Sequence, residues 1–92
     1  MARPCYRLSV YVKAVYAFAK KKGFRVEERN NKGSAVHFDL FQGTEKEPCA
    51  MWQVHVGHTK QKFVTSKDDL RKPANKMNVT NEEFLKLLEE SK

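Results

Sequence analysis

The spacing of apolar residues near the start of the chain predicts a helix. From Leu8 to Gly23, apolar side chains recur at three- and four-residue steps, which places them on one helical face. Ser9 is the expected N-cap, lysines complement the negative end of the helix dipole, and Gly23 supplies the left-handed residue that ends the helix. Residues 6–12 also alternate as a strand does, so an extended first turn is the alternative.

The middle of the chain shows the alternation of half-buried strands. A first strand begins at Phe24, and a cluster of Asn, Lys, Gly and Ser at 30–34 tolerates the backbone of a tight turn, which predicts a hairpin. Segments 36–41 and 50–56 then alternate with a period of two, which predicts two further antiparallel strands. The side of this sheet away from the apolar stripe would carry His37, Asp39, Phe41, Gln53 and His55.

Segment 57–78 is rich in lysine and arginine and has few apolar residues, which predicts a basic excursion from the core. Residues 63–64 would anchor this segment to the core. Ser66 and Asp69 have the spacing of a helix cap, and Pro73 would end a short helical turn there.

The end of the chain predicts a second helix. Thr80 and Glu83 have the spacing of a capping box, and an apolar stripe follows at Phe84, Leu87 and Leu88. The prediction is one domain, 1–92, of α+β class. It has two layers in the order α-β-β-β-α, with two helices on one face of a three-stranded antiparallel sheet and a basic insertion at about 59–79.

Net charge is the property of the composition that indicates a class of partner. The 92 residues include 18 Lys and Arg against 11 Asp and Glu, a formal charge of +7. Such an excess attracts phosphate backbones at long range and gains from counterion release, which favours RNA as partner. The alternative is that the charge only keeps the protein soluble.

Several compartments and chemistries are not expected. No apolar run approaches the ~20 residues that cross a bilayer, and the N-terminus lacks the apolar core of a signal peptide, so we expect a cytoplasmic protein without a membrane partner. Cys5 and Cys49 stand outside any CxxC spacing and are expected to be reduced. We expect neither a metal nor another cofactor.

Several short motifs follow one another along the first two thirds of the chain. They are Leu8-Ser9-Val10, Lys22-Gly23-Phe24, Arg29, Lys32-Gly33-Ser34, and Val54-His55-Val56 followed by Gly57, His58 and Lys60. This series resembles the HicA toxins, which are small basic proteins with a fold like that of the double-stranded-RNA-binding domain. The resemblance implies an mRNA interferase that cuts RNA without a metal and is neutralised by a HicB-type antitoxin.

The chain departs from the HicA pattern at the catalytic position. In that family the catalytic histidine stands immediately after the Gly-Ser pair or one place further, whereas here Ala35 and Val36 follow Gly33-Ser34 and the first histidine is His37. A shift of one residue in a strand moves a side chain to the opposite face. A relative that has kept the fold and lost the nuclease activity would also have this sequence.

Two histidines are the candidate catalytic residues. Cleavage of RNA requires removal of a proton from the 2′-hydroxyl and delivery of one to the leaving 5′-oxygen, and histidine can do either near neutral pH. His37 is the first candidate and His55 the second, with a lysine or arginine stabilising the charge on the phosphate. The alternative is that both are solvated sheet residues that move no proton.

The candidate nucleic-acid contacts combine basic and aromatic side chains. They are Lys20, Lys21, Lys22, Arg25, Arg29, Lys32, Phe41, His58, Lys60 and Lys62. Phe41 would stack a base, or would be an edge aromatic covered by the long loop. His58 would contact a phosphate or cap a turn.

Three hypotheses for function follow. The first is a HicA-like RNA-binding toxin and metal-independent endoribonuclease. The second is a non-enzymatic module that binds nucleic acid or nucleoprotein through the same basic surface, such as a phage-encoded inhibitor. The third is a protein-interaction domain whose open sheet face pairs with an acidic antitoxin or subunit.

Overall fold

The computed structural model describes residues 5–30, 35–56 and 62–91. Its elements are β1 (Tyr6–Arg7), α1 (Leu8–Lys21), β2 (Phe24–Asn30), β3 (Ala35–Gln42), β4 (Ala50–His55), β5 (Phe63–Val64), α2 (Lys67–Lys76) and α3 (Asn81–Glu90). β2, β3 and β4 form an antiparallel sheet in that order, and β1 pairs with β5 in a second, two-stranded sheet. The predicted α+β class is confirmed. Lys32, His58 and Lys60 lie outside the described residues.

Helix α1 begins where the apolar spacing predicts, but its cap differs. Arg7, in extended conformation, is the N-cap, so the prediction of Ser9 was wrong. The backbone amide of Leu8 donates a hydrogen bond to the carbonyl of Lys62 at 2.9 Å, because the helix follows directly on the paired strand β1. Gly23, with φ of +82°, ends the helix as predicted.

The core lies between the helices and one face of the three-stranded sheet. Phe38 of β3 stacks on Trp52 of β4 with ring centroids 5.1 Å apart, and Tyr11 of α1 meets the Phe38 ring edge-on at 5.8 Å. Phe84 of α3 contacts both Tyr11 and Phe18 edge-on. The alternation in β3 and β4 therefore predicted the core side of the sheet correctly.

The basic segment contains a third helix that the apolar pattern did not predict. Ser66 is the N-cap of α2 as expected, and its hydroxyl accepts from the amide of Asp69 at 3.5 Å. The helix does not end before Pro73 but continues to Lys76. Pro73 has no N–H to give the carbonyl of Asp69, four residues earlier. The Tyr11 hydroxyl donates to that carbonyl instead, at 2.9 Å, which satisfies the group that proline leaves free.

Helix α3 follows α2 after a short turn. Thr80 is its N-cap, yet the Thr80 side chain makes no capping hydrogen bond, so the predicted capping box was wrong. Glu83 instead pairs with Lys22 at 3.2 Å, tying α3 to the end of α1. Phe84 and Leu88 are buried as predicted. No helix in the described ranges has the length and apolar character to cross a membrane.

Helix α2 also closes one edge of the three-stranded sheet. The backbone amide of His55 donates to Asp69 Oδ2 at 3.0 Å, and Lys72 Nζ donates to the carbonyl of Gln53 at 2.8 Å. Lys72 and Asp69 also pair with each other at 2.9 Å. Two side chains of α2 therefore satisfy two of the backbone groups of β4 that point away from β3.

Candidate nucleic-acid interface

The sheet has a second face, which we call the open face. It consists of Arg25, Glu27 and Arg29 on β2, Ala35, His37, Asp39 and Phe41 on β3, and Met51, Gln53 and His55 on β4. The side chains on both outer strands are exposed, so the described helices leave this face accessible to solvent. The prediction that His37, Asp39, Phe41, Gln53 and His55 share one face is confirmed.

A hydrogen-bonded cluster lies at the centre of the open face. His37 Nε2 is 2.9 Å from Asp39 Oδ1. Arg29, opposite His37 on β2, holds the same carboxylate through both oxygens: Nε lies 3.1 Å from Oδ2 and an Nη atom 3.3 Å from Oδ1. The side chain of Arg29 remains mostly exposed while those of His37 and Asp39 are nearly covered. The cluster therefore fixes the orientation of the His37 ring.

The two candidate catalytic histidines lie diagonally across neighbouring strands. His37 is opposite Gln53 and His55 is opposite Ala35, so they are not directly paired. Diagonal neighbours on one face of an antiparallel sheet are separated by roughly 7–8 Å. The side chain of His55 is exposed. The strand register thus makes His37 and His55 diagonal neighbours on one face of the sheet.

Phe41 does not present its ring to solvent. It is only 7% exposed, because the guanidinium of Arg25 lies over the ring with its carbon 4.4 Å from the centroid. Direct stacking of a base on Phe41, one of the two predictions for this residue, is therefore wrong. Cover by the long loop was the other prediction; Arg25 of β2 lies over the ring and donates a hydrogen bond to the carbonyl of Glu45 in that loop.

Charge on the open face is balanced. Arg25 and Arg29 are offset by Glu27 and Asp39, and ion pairs join them at 3.7 Å and 3.1 Å. Helix α1, in contrast, has lysines and no acidic residue along its 14 positions. Among the residues that the structure describes, the positive excess expected to attract phosphate therefore does not lie on this face.

The predicted lysine contacts are not gathered at the open face. Lys20 and Lys21 are exposed in the last turn of α1, in the helical layer. Lys22 is half-buried, pairs with Glu83 and lies over Phe18. Lys62 contacts the opposite end of α1, roughly 20 Å from the lysine run given the 1.5 Å rise per residue. Of the predicted binding residues that the structure describes, Arg25, Arg29 and Phe41 belong to the open face.

Sequence reasoning missed the buried polar chain that supports β4. Trp52 Nε1 donates to the Tyr11 hydroxyl at 3.2 Å, Tyr11 donates to the carbonyl of Asp69, and the Asp69 carboxylate accepts from the backbone of His55. Burial raises the pKa of Tyr11 far above its ordinary value, so this hydroxyl remains a donor. These contacts connect residues 14 to 58 positions apart, and no local pattern identifies them.

No group of three or more His, Cys, Asp or Glu side chains among the described residues is placed to hold a metal ion. Cys5 and Cys49 are free and exposed. The acid–base groups on the open face are therefore the two histidines and the carboxylates beside them.

Comparison with protein-family models, with curated proteins and with solved structures finds no match to this chain.

Proposed function

We propose that this protein is a HicA-like RNA-binding toxin that holds single-stranded RNA on the open face and cuts it there without a metal. The single observation that carries the proposal is the hydrogen-bonded cluster of His37, Asp39 and Arg29 on a face that the described helices leave exposed. The core order of α1, β2, β3, β4 and α3 supports a double-stranded-RNA-binding-domain-like arrangement, to which α2 and the two-stranded sheet are additions.

The geometry supports general acid–base chemistry at the two histidines. A diagonal separation of roughly 7–8 Å leaves space for one phosphodiester group between His37 and His55. One imidazole takes the proton of the 2′-hydroxyl as its oxygen attacks phosphorus. The other donates a proton to the 5′-oxygen as the P–O bond breaks, leaving a 2′,3′-cyclic phosphate. Arg29, which is mostly exposed, is placed to contact a phosphate oxygen.

Cleavage of a single-stranded RNA in the presence of a chelator tests the activity. We expect the wild type to cut RNA but not the same sequence with 2′-O-methyl groups, since the nucleophile is then blocked. His37→Ala and His55→Ala should each reduce the rate at least 100-fold while RNA affinity changes little. Lys76→Ala, an exposed change on α2, is the control that should cut normally. Equal rates for wild type and His37→Ala would contradict the nuclease.

Growth of cells expressing each variant tests the toxin. If the wild type arrests growth and His37→Ala does not, the result would support a toxin. If both cultures grow equally, the result would contradict it. As a toxin acting on mRNA the protein would work in the cytoplasm, and a HicB-type antitoxin is the protein partner we propose. The exposed lysines of α1 are a suitable contact for an acidic surface of that partner.

A non-enzymatic RNA- or nucleoprotein-binding module is the second candidate. It is favoured by the pairing of Asp39 with Arg29, because such ion pairs also occur in sheets without catalytic function. RNA affinity that falls steeply with salt, together with no cleavage by the wild type, would select this candidate. Affinity that hardly depends on salt would contradict both candidates.

A further inference from the structure

Several contacts hold the side chain of Arg25 over the ring of Phe41. The two residues are directly opposite on β2 and β3, which fixes the guanidinium over the ring. One Nη atom of Arg25 donates to the carbonyl of Glu45 at 3.1 Å, and Nε lies 3.7 Å from Glu27 Oε2. Three neighbours therefore hold one side chain that is still about half exposed.

These contacts change what Arg25 can offer a ligand. Its charge is partly offset by Glu27, so it is a weaker phosphate contact than a free cation. Its guanidinium, in contrast, is already held over Phe41, with the central carbon 4.4 Å from the ring centroid, while 46% of the side chain remains exposed. Guanidinium planes stack nucleobases as aromatic rings do, and an ordered plane loses little entropy on binding.

We infer that the outer plane of the Arg25 guanidinium is a stacking site for one base of a single-stranded RNA, with Phe41 as its support. This inference rests on the proposed function and adds the contact that holds the base. Double-stranded RNA does not fit the site, because its bases are stacked and paired and cannot lie flat on a side chain.

The position of the stack also sets a minimum length for the RNA. Phe41 is four residues from His37 on the same strand face, a distance of about 13–14 Å at ~3.4 Å per residue. One stacked nucleotide advances only ~3.4 Å along its strand. An RNA that kept the stacked rise would therefore have to extend over several nucleotides to touch both Arg25 and His37.

Fluorescence anisotropy with a labelled single-stranded RNA octamer tests the stack through Arg25→Lys. Lysine keeps the charge and loses the plane, so we expect about tenfold weaker binding, similar to Arg25→Ala, with an unchanged dependence on salt. Lys76→Ala removes an exposed charge elsewhere and should bind about as the wild type does. Arg25→Lys with wild-type affinity would overturn the inference, since charge alone would then account for the contact.

A second measurement uses the RNA instead of the protein. An octamer with one abasic position should bind the wild type more weakly when that position is the one that meets Arg25. The same abasic octamer should bind Arg25→Ala about as weakly as it binds the wild type, because both changes remove the same contact. Fully additive losses would overturn the stack while leaving RNA binding intact. Absence of binding by the wild type at low salt would instead defeat the proposed function itself.

Discussion

The two faces of strand β3 are buried to nearly the same degree by different means. Phe38 is 0% exposed beneath the helices, where the Tyr11 ring of α1 meets it edge-on. His37, the preceding residue, is 9% exposed on the open face, which no described helix covers, with side chains of the neighbouring strands beside it. Burial under a second layer stabilises the fold, whereas burial among hydrogen-bonded neighbours orients polar groups close to solvent. A substitution on each face should therefore affect different properties.

The largest effect should come from the helix-covered face. Phe38→Ala removes a fully buried ring and leaves a cavity between Trp52 and Tyr11, so we expect the free energy of unfolding to fall by ~3–5 kcal/mol. Urea denaturation measures it. Met51→Ala, an exposed change on the open face, is the control and should alter stability by less than ~0.5 kcal/mol. If both variants lost a similar free energy of unfolding, the two faces would not differ in their contribution to stability.

The second effect concerns the buried contact between α2 and β4. Asp69→Ala leaves the backbone amide of His55 and the ammonium group of Lys72 without their carboxylate partner, and should lower the free energy of unfolding by ~1–3 kcal/mol. Asp68→Ala, exposed in the same helical turn, removes the same charge near the same helix end. Because the two variants differ only in the buried contacts, the difference between their free energies of unfolding in urea measures what those contacts contribute to stability.

The third effect separates activity from stability on the open face. Asp39→Asn keeps a side-chain oxygen near His37 but removes the charge that holds the imidazole and Arg29. We expect cleavage to slow about tenfold or more, while the free energy of unfolding changes by no more than ~1 kcal/mol because Arg29 is mostly exposed. Initial rates and urea midpoints are the two measurements. A large loss of stability with normal cleavage would reverse the assignment of roles.

The smallest effect appears at alkaline pH on the helical side. A hydrogen bond to Glu89 and burial raise the pKa of Tyr6 from its ordinary 10 to about 12. The folded protein therefore keeps this proton more tightly than the unfolded chain, and the resulting stability is present below pH 10 and lost as pH rises through 12. Tyr6→Phe should lose less stability across that interval in urea titrations. If the free energy of unfolding of both proteins depends on pH in the same way over this interval, Tyr6 makes no such contribution.

Much of the sheet could be predicted from alternation because its period is local. The positions of His37 and Asp39 on one face, and of Phe38 and Trp52 on the other, follow from strands in which side chains alternate. The opposition of Arg29 and Asp39 required the register of the hairpin, which depends on how the turn closes. The cover of Arg25 over Phe41 depends on side-chain conformations that alternation does not determine.

The elements that escaped prediction are those stabilised by distant residues. β1 and β5 have two residues each, too few for any periodicity, and exist because they pair with each other. Helix α2 contains Pro73, which locally signals a helix end. It continues because the hydroxyl of Tyr11, far away in the chain, bonds the carbonyl that proline leaves free. Tertiary contacts thus override the local signal.

The capping of β4 by α2 has a consequence for self-association. An outer strand normally offers its free amides and carbonyls as a template on which another chain can polymerise. The carbonyl of Gln53 and the amide of His55 are already bonded to the side chains of Lys72 and Asp69, so an incoming strand would first have to displace a helix at these positions. Growth of the sheet into a fibril or a strand-swapped dimer is therefore blocked at this border by side chains that imitate a neighbouring strand.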